Sequence, residues 1–290
     1  MRKHTTTNKQ FVKAREIKND EFYTLRPYIN KELKHYKSEF KNKIVYCNAD
    51  NEDSQFVHYF KDNFHSLQLC DFIYTSYDKN TGKGSFLCAE NLTKLRHADI
   101  IVTNPPFSLW RHLYDVLKKW NKKFLIVGSN IAPNLMTMKP DIIEGKTWMG
   151  VNEDTNPHFL MPDGKLKRVN AKWYTNLKHT FPKGFLNPTW LYTKGEYPMY
   201  DEYEAIECGY VEKIPCNYEG IMGVPLSFLD VYHPDEFEIT GIKANLYVNG
   251  KKKFTRVLIR NKFPITPFIQ HRGKVRGKPR SPAISQRIAP

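Results

Sequence analysis

The sequence predicts an α/β fold with a mostly parallel β-sheet and helices on both of its faces. Short apolar segments of strand length alternate with amphipathic segments of helical period through the first half of the chain. These segments follow one another in βαβ order, which favours parallel pairing of the strands. In sheets of this kind ligands bind at the carboxyl ends of the strands, so we expect a site there.

Each element follows from its own pattern of apolar residues. The predicted helical faces are Ile29, Leu33, Tyr36 and Phe40; Phe56, Val57, Phe60 and Phe64; Leu92 and Leu95; and Leu109, Leu113, Val116 and Leu117. The predicted strands between them are residues 44–47, 72–74, 99–103 and 124–128. Asp53 or Ser54 is placed to cap the second helix, because either side chain can accept a hydrogen bond from a free N–H of the first turn.

Beyond about residue 145 the alternation gives way to aromatic- and proline-rich sequence. Strand-like pieces remain near residues 172–176 and 223–229. The sharpest later feature is Asn249-Gly250, which separates residues 246–248 from residues 251–259. Because Asn-Gly favours a type I′ turn, these segments predict a β-hairpin with a basic second arm.

The positive charge is concentrated near the carboxyl terminus. The formal net charge is +15, and residues 239–290 contain 13 Lys or Arg and no acid, whereas residues 1–238 contain 32 basic and 30 acidic side chains. A solvated basic tail is the simplest explanation of such a run, but it also suits contact with the phosphates of a nucleic acid. The predicted DNA-contacting residues are Lys251, Lys252, Lys253, Arg256, Arg272, Lys274 and Arg276.

These changes in composition predict three regions. Residues 1–178 form the core domain, and residues 179–270 form a region that completes the fold and recognises the target. Residues 271–290 combine Arg, Lys, Gly and Pro without periodicity and are expected to be disordered until they meet a partner.

The remaining composition predicts a cytoplasmic protein without a metal. The first ten residues contain no apolar core for a signal peptide, and no segment approaches the ~18 apolar residues of a membrane span. Neither the five cysteines nor the ten histidines have the spacing of a zinc site, and no Cys-x-x-Cys pair is present. We therefore expect reduced thiols and no membrane contact.

The tetrapeptide Asn104-Pro105-Pro106-Phe107 follows the apolar run 100–103 directly. The prolines fix the backbone and remove two N–H donors, so the turn is stiff and rich in acceptors. The Asn104 side-chain oxygen and the Pro105 carbonyl can each accept one hydrogen from an aromatic amino group, and Phe107 offers a ring for stacking an extruded base. A loop that merely closes a buried strand is the structural alternative, but the combination favours a nucleic-acid methyltransferase.

Four segments resemble the EcoRI-type family of adenine-specific DNA methyltransferases, and the likeness covers most of residues 17–242. Residues 20–24 resemble the family's N-terminal cofactor segment, and residues 45–50 resemble its first-strand segment. Residues 104–107 resemble the catalytic turn. The most specific segment is residues 223–230 with Phe237-Glu238-Ile239, and residues 172–177 also match a family segment.

The resemblance implies a Rossmann-like S-adenosylmethionine-dependent methyltransferase core with a C-terminal DNA-recognition region. It implies methyl transfer to the N6 amino group of an adenine flipped out of a double-stranded DNA site, without a metal. The residues that would hold the base are Asn104, Pro105, Pro106 and Phe107. The residues that would contact the cofactor are Tyr23, Thr24, Cys47, Asn48 and Asp50. Restriction–modification, a cognate endonuclease encoded nearby and a monomeric enzyme are the further expectations.

Some features depart from the pattern or stay open. The first strand is not followed by a Gly-rich loop, and Ser85 stands where an acid is expected to reach the cofactor adenine. Either Asp71 or Asp78 could contact the ribose. Methylation of RNA or of a protein glutamine amide is an alternative activity, since the same turn could hold those amino groups. An inactive DNA-binding decoy or regulator is the alternative outside enzymes.

Overall fold

The computed structural model describes residues 22–48, 50–75, 88–178 and 184–265. The chain divides into two compact units, residues 1–182 and residues 183–290. The two units are described separately.

The first unit alternates strands and helices in the predicted order. Its α-helices are α1 (Arg26–Leu33), α2 (Lys37–Phe40), α3 (Gln55–Asn63), α4 (Ala89–His97), α5 (Trp110–Lys119) and α6 (Lys139–Ile143), with 3-10 helices at Lys34–Tyr36 and Ala132–Asn134. Its strands are β1 (Tyr23–Thr24), β2 (Ile44–Cys47), β3 (Asp71–Tyr74), β4 (Ile100–Thr103), β5 (Lys123–Ser129), β6 (Trp148–Met149), β7 (His158–Leu160), β8 (Leu166–Arg168) and β9 (Ala171–Thr175). Ser54 rather than Asp53 caps α3, because its Oγ accepts a hydrogen bond from the Phe56 N–H at 3.2 Å. None of the helices in the described ranges has the length and apolar character to cross a bilayer.

Six of these strands form the main sheet in the order β3-β2-β4-β5-β9-β6. The first four strands are mutually parallel, whereas β9 and β6 each pair antiparallel with their neighbours. This confirms the predicted mostly parallel α/β sheet. A separate antiparallel sheet contains β1, β7 and β8. The sequence did not predict these three strands, because two or three residues are too few to show a period of two.

Both faces of the main sheet are buried. Val45, Val102 and Leu125 belong to a core that also contains the apolar faces of α1, α2 and α3. Because successive strand residues point to opposite faces, Phe124 on β5 lies on the other side. There its ring contacts Tyr114 of α5 with centroids 5.8 Å apart. Helices therefore cover the sheet on both faces, as predicted.

The chain order of the strands produces a crevice at the carboxyl edge of the sheet. From β2 the chain passes through α3 to β3 on one side of β2, and it then returns through α4 to β4 on the other side. β2 and β4 are adjacent, with Val45 opposite Ile100. Such a reversal separates the loops that follow the two strands, and this is where ligands bind in open α/β sheets.

The second unit contains strands and two 3-10 helices, but no α-helix, among its described residues. Its strands are β10 (Ile206–Glu207), β11 (Met222–Pro225), β12 (Phe237–Lys243), β13 (Tyr247–Val248), β14 (Lys251–Lys252) and β15 (Arg256–Asn261), and its 3-10 helices are Val211–Lys213 and Leu226–Asp230. Four strands form a sheet in the order β10-β11-β15-β12. The prediction of one strand over residues 223–229 is wrong beyond Pro225, because proline has no N–H to continue a ladder and the chain turns into a 3-10 helix.

The predicted Asn-Gly hairpin is confirmed. Asn249 and Gly250 have φ angles of 49° and 70°, as a type I′ turn requires, and β13 pairs antiparallel with β14. The predicted second arm is wrong in extent, since β14 ends at Lys252. Residues from Arg256 onward form β15, which pairs with β11 and β12 because its apolar residues are buried between them.

Arg256 is buried in an ion pair and is not available to DNA. Its Nη2 donates to Glu207 Oε1 at 2.6 Å, and its Nε donates to Oε2 of the same carboxylate at 3.0 Å. The Tyr200 hydroxyl also donates to this carboxylate. Only 9% of the Arg256 side chain and 5% of the Glu207 side chain are exposed. The predicted DNA contact of Arg256 is therefore corrected to a structural role that joins β15 to β10.

We expect Arg256→Ala to lower the free energy of unfolding by about 3–5 kcal/mol, because it leaves the Glu207 carboxylate buried without its partner. Arg260→Ala is the matched control, since Arg260 also lies on β15 but its ion pair with Glu238 is about half exposed. That control should cost no more than about 1 kcal/mol. Denaturant unfolding of the two variants beside the wild type measures both values, and equal losses would contradict the structural role of Arg256.

Candidate active site

The tetrapeptide Asn104 to Phe107 lies at the carboxyl end of β4, directly after Thr103. Pro105 is buried, and the Pro106 carbonyl accepts a hydrogen bond from the Leu109 N–H at 2.9 Å just before α5 begins. The turn therefore lies at the crevice between β2 and β4, where the sequence predicted a ligand site.

The amide of Asn104 is held in one orientation. Its Nδ2 donates to the Phe22 carbonyl oxygen at 2.6 Å, so the amide oxygen points away from that carbonyl. This Oδ1 atom is buried, and no residue in the described ranges donates a hydrogen bond to it. A buried acceptor without a partner costs about 1–3 kcal/mol, and native proteins retain few of them. The arrangement presents an oxygen acceptor that is suited to an incoming N–H.

The segment that begins at Phe22 is attached to the turn by a second contact. The rings of Phe22 and Phe107 lie 5.5 Å apart between centroids, and the Phe107 ring is only half-buried. Tyr23 and Thr24 follow immediately and form β1, which pairs with β7. Tyr23 is exposed, whereas Thr24 Oγ1 is buried and has no hydrogen-bond partner within the part of the chain that is described. The structure thus brings the predicted cofactor segment next to the predicted catalytic turn.

At the end of β2 the predicted residues have different environments. The Cys47 side chain is fully buried in the core, and burial raises the pKa of its thiol well above the usual value. Its predicted cofactor contact is therefore corrected, because a thiol enclosed by apolar side chains cannot reach a ligand in the crevice. Asn48 is also buried, and its Oδ1 accepts a hydrogen bond from the Tyr46 hydroxyl at 3.0 Å.

Asp50 contacts Thr103, the residue that precedes the Asn104–Phe107 turn. The Thr103 hydroxyl lies 3.2 Å from Asp50 Oδ2 and 3.1 Å from the Asn48 carbonyl oxygen, and Ser54 Oγ donates to Asp50 Oδ1 at 2.6 Å. Burial raises the pKa of the Asp50 carboxyl to about 7, although the hydrogen bonds from Ser54 and Thr103 oppose this rise. The carboxyl group therefore changes its charge near neutral pH. It contacts Thr103, which directly precedes Asn104.

The sequence did not predict the contacts that three further residues make at the candidate site. Phe22 holds Asn104, Thr103 connects the ends of β2 and β4, and Ser54 orients Asp50. A polar residue at the end of the apolar run 100–103 was the available signal for Thr103. The role of Phe22 depends on its backbone carbonyl. Every residue has such a group, so the residue type gave no signal.

Other predicted residues are not brought to the crevice. Asp71 begins β3 opposite Ile44, at the amino edge of the parallel sheet, so it cannot be the ribose contact. Asp78 and Ser85 lie outside the described residues. Lys251 and Lys252 are exposed and Lys253 is half-buried, all in the second unit.

The tail residues Arg272, Lys274 and Arg276 also lie outside the described residues. Among the residues that are described, no three His, Cys, Asp or Glu side chains are grouped as metal ligands would be. The absence of a metal from the reaction stays a prediction.

The chain is similar to known proteins over most of its length. The model of the family described as "Adenine-specific methyltransferase EcoRI" matches residues 10–82 and 79–266. The Type II methyltransferase M.EcoRI of Escherichia coli is 34% identical over 317 residues, which cover 88% of this chain and 97% of that protein. The Type II methyltransferase M.MgeORF184P of Mycoplasma genitalium is 34% identical, covering 86% of this chain and 98% of its own.

A third relative is the Type II methyltransferase M.MpnI of Mycoplasma pneumoniae. It is 32% identical, and the match covers 87% of this chain and 98% of that protein. The matches to the family and to all three relatives span most of the chain, so they include both structural units. The chain therefore belongs to the EcoRI family of adenine-specific methyltransferases.

Proposed function

We propose that this protein is a site-specific DNA methyltransferase that moves a methyl group from S-adenosylmethionine to the N6 amino group of an adenine extruded from double-stranded DNA. The observation that carries the proposal is the Asn104 amide, whose nitrogen is held by the Phe22 carbonyl while its oxygen is buried without a described partner. The names of the Type II relatives support DNA as the substrate and restriction–modification as the setting.

The turn suits the amino group of adenine, which carries two hydrogens. Asn104 Oδ1 would accept one of them. The Pro106 carbonyl already accepts from Leu109, so the Pro105 carbonyl is the better acceptor for the second. Two such hydrogen bonds draw the amino nitrogen out of the ring plane and make its lone pair available as a nucleophile. Phe107, which is half-buried, would contact the base face.

The proton that the nitrogen loses needs no dedicated base. After transfer the amino nitrogen carries a positive charge, and its proton is acidic enough to leave to water. The protein therefore contributes mainly by positioning, because a reactant held in attack geometry avoids most of the entropic cost of a bimolecular step. This role agrees with a turn that is fixed by two prolines and by the Phe22 carbonyl.

The cofactor would lie along the crevice, where S-adenosylmethionine supplies an electrophilic methyl group when bound. Thr24 Oγ1 is a buried polar atom without a partner among the described residues, so it fits a hydroxyl or amino group of a ligand. Asp50 offers a carboxylate in the segment after β2, and Tyr23 and Asn48 are the further proposed contacts. We further propose a monomeric, cytoplasmic enzyme with a cognate restriction endonuclease encoded nearby.

The role of Asp50 predicts a pH-dependent affinity for S-adenosylmethionine. The carboxyl has a pKa of about 7, and a cationic ligand with hydroxyl donors favours the ionised form. Affinity should therefore rise with pH through 7 and level above it, by up to about tenfold between about pH 6 and pH 8 if only the ionised form binds. Isothermal titration calorimetry at several pH values measures this directly.

Asp50→Asn should bind more weakly and lose the pH dependence. Asp163→Asn is the matched control, because Asp163 is exposed in the β7–β8 hairpin and its pKa lies below the usual value. That control should retain the profile of the wild type. An Asp50→Asn variant that binds S-adenosylmethionine as tightly as the wild type at pH 8 would remove Asp50 from the cofactor site.

The function itself is tested by transfer of radiolabelled methyl groups from S-adenosylmethionine to unmodified duplex DNA, RNA and protein, measured side by side. We expect label in DNA only, at adenine N6, with Asn104→Ala reduced on the order of 100-fold or more in turnover while cofactor affinity is unchanged. Asn30→Ala is the control, since Asn30 is exposed on α1. It should keep full turnover.

The alternatives correspond to different outcomes of the same experiment. Label in RNA or in protein glutamine would replace the proposed substrate. If none of the three substrates becomes labelled while the protein still binds DNA, the protein is an inactive DNA-binding decoy. Undiminished turnover by Asn104→Ala would show that the turn does not hold the reacting amino group.

A further inference from the structure

The short hairpin of β13 and β14 in the second unit is fixed by contacts beyond its own strand pairing. The Asp201 carboxylate accepts hydrogen bonds from both turn N–H groups, those of Asn249 and Gly250, each at 2.8 Å. The first arm is anchored by Leu246 and Val248, which are buried in the small core of this unit. The turn and one arm are therefore fixed, while the other arm projects its side chains outward.

The segment after β14 ends in an exposed aromatic residue. Phe254 is 84% exposed, more than any other large hydrophobic side chain among the described residues. It directly follows Lys251, Lys252 and Lys253. A phenylalanine so exposed gains nothing from burial in this unit, and the adjacent charges make a purely apolar partner unsuitable.

The backbone of Phe254 is nevertheless held on both sides. The N–H of the preceding Lys253 donates to the Leu246 carbonyl at 2.8 Å. The Phe254 carbonyl accepts from Nη1 of Arg256 at 3.3 Å, and Arg256 is itself fixed by its buried ion pair with Glu207. A side chain displayed on such a fixed backbone loses little conformational entropy when it binds.

We propose that Phe254 is inserted against the bases of double-stranded DNA while the three lysines contact the phosphates beside it. This inference rests on the proposed function. Charge complementarity selects the partner, since residues 239–290 contain no acid and a polyanion would neutralise the lysine run. Apolar side chains that enter a duplex between base steps hold it in a deformed state, as base extrusion requires.

Phe263 provides a matched control on the same unit. It is 69% exposed, and it follows β15 by two residues, whereas Phe254 precedes β15 by two residues. Because a strand rises about 3.3 Å per residue, the two phenylalanines stand at opposite ends of a six-residue strand. Replacing either phenylalanine with alanine removes a similar area of exposed apolar surface, but only Phe254 lies beside the lysine run.

The test measures the affinity of the full chain for a duplex centred on the adenine that the enzyme methylates, over a range of salt concentrations. Phe254→Ala should weaken binding about 5- to 150-fold at every salt concentration, the loss seen when an aromatic residue that contacts a base is removed. It should leave the salt slope unchanged, whereas Lys252→Gln should reduce that slope by about 0.9. Phe263→Ala should bind as the wild type does.

Replacement by another aromatic residue gives a second, direct readout. Phe254→Trp should bind like the wild type, and the fluorescence of the added tryptophan should be quenched by the duplex, while that of Phe263→Trp should not. Because Phe254 is exposed, Phe254→Ala should unfold at the same denaturant concentration as the wild type.

Four results would overturn the inference. Equal affinities of Phe254→Ala and Phe263→Ala would show that the ring does not contact the duplex. A weakened Phe254→Ala with a reduced salt slope would show that the substitution acts through the lysines. A wild-type protein that methylates no DNA would remove the proposed function and this inference together, whereas unimpaired methylation and binding by Phe254→Ala would remove the inference alone.

Discussion

The hydrogen bond from Asn104 to the Phe22 carbonyl connects residues 82 positions apart and sets which acceptor the proposed site presents. It fixes the amide plane, and with it the position of an oxygen that has no partner in the described parts of the chain. It also places Tyr23 and Thr24 beside the Asn104–Phe107 turn, because they continue the segment whose carbonyl accepts this bond. Without it the amide could rotate, and the acceptor that we propose for the adenine amino group would no longer be presented.

The crevice as a whole combines groups that are unfavourable in the free protein. The Asn104 amide oxygen follows β4, the Asp50 carboxyl group, whose pKa is raised to about 7, follows β2, and the Thr24 hydroxyl lies on β1. Neither the amide oxygen nor the threonine hydroxyl has a hydrogen-bond partner among the described residues. Each costs folding free energy, and each would be compensated by a polar ligand. The main sheet, whose strands precede Asn104 and Asp50, is buried on both faces by aromatic and branched side chains, so the fold can hold these two groups in place.

Much of this arrangement could be predicted from the sequence. The four parallel strands, the helices between them and the Asn249-Gly250 turn follow from local periodicity and turn chemistry, and the structure contains them. The position of Asn104 at a strand end follows from the apolar run before it. The strands β1, β7 and β8 could not be predicted, because their residues pair with distant segments and show no local period.

The side-chain roles that were wrong depend on distant partners. Arg256 resembles its lysine neighbours in charge, and only the position of Glu207, 49 residues earlier, makes it a buried structural residue. Cys47 lies in the segment that was predicted to contact the cofactor, but the alternation of β2 points its thiol into the core. Asp71 is excluded because parallel pairing places the start of β3 at the opposite edge from the site. In each case the residue type was compatible with the predicted role, but the tertiary structure places the side chain away from the predicted ligand.

The most direct test of the central claim compares two duplexes that differ by one amino group. In the presence of S-adenosylhomocysteine, the affinity of the protein is measured for a duplex with adenine at the methylated position and for one with purine there. The wild type should prefer adenine by about 5- to 150-fold, the cost of leaving a buried acceptor unpaired. Asn104→Ala should lose most of this preference and keep only the part that the Pro105 carbonyl contributes, and a preference that survives this substitution undiminished would contradict the account.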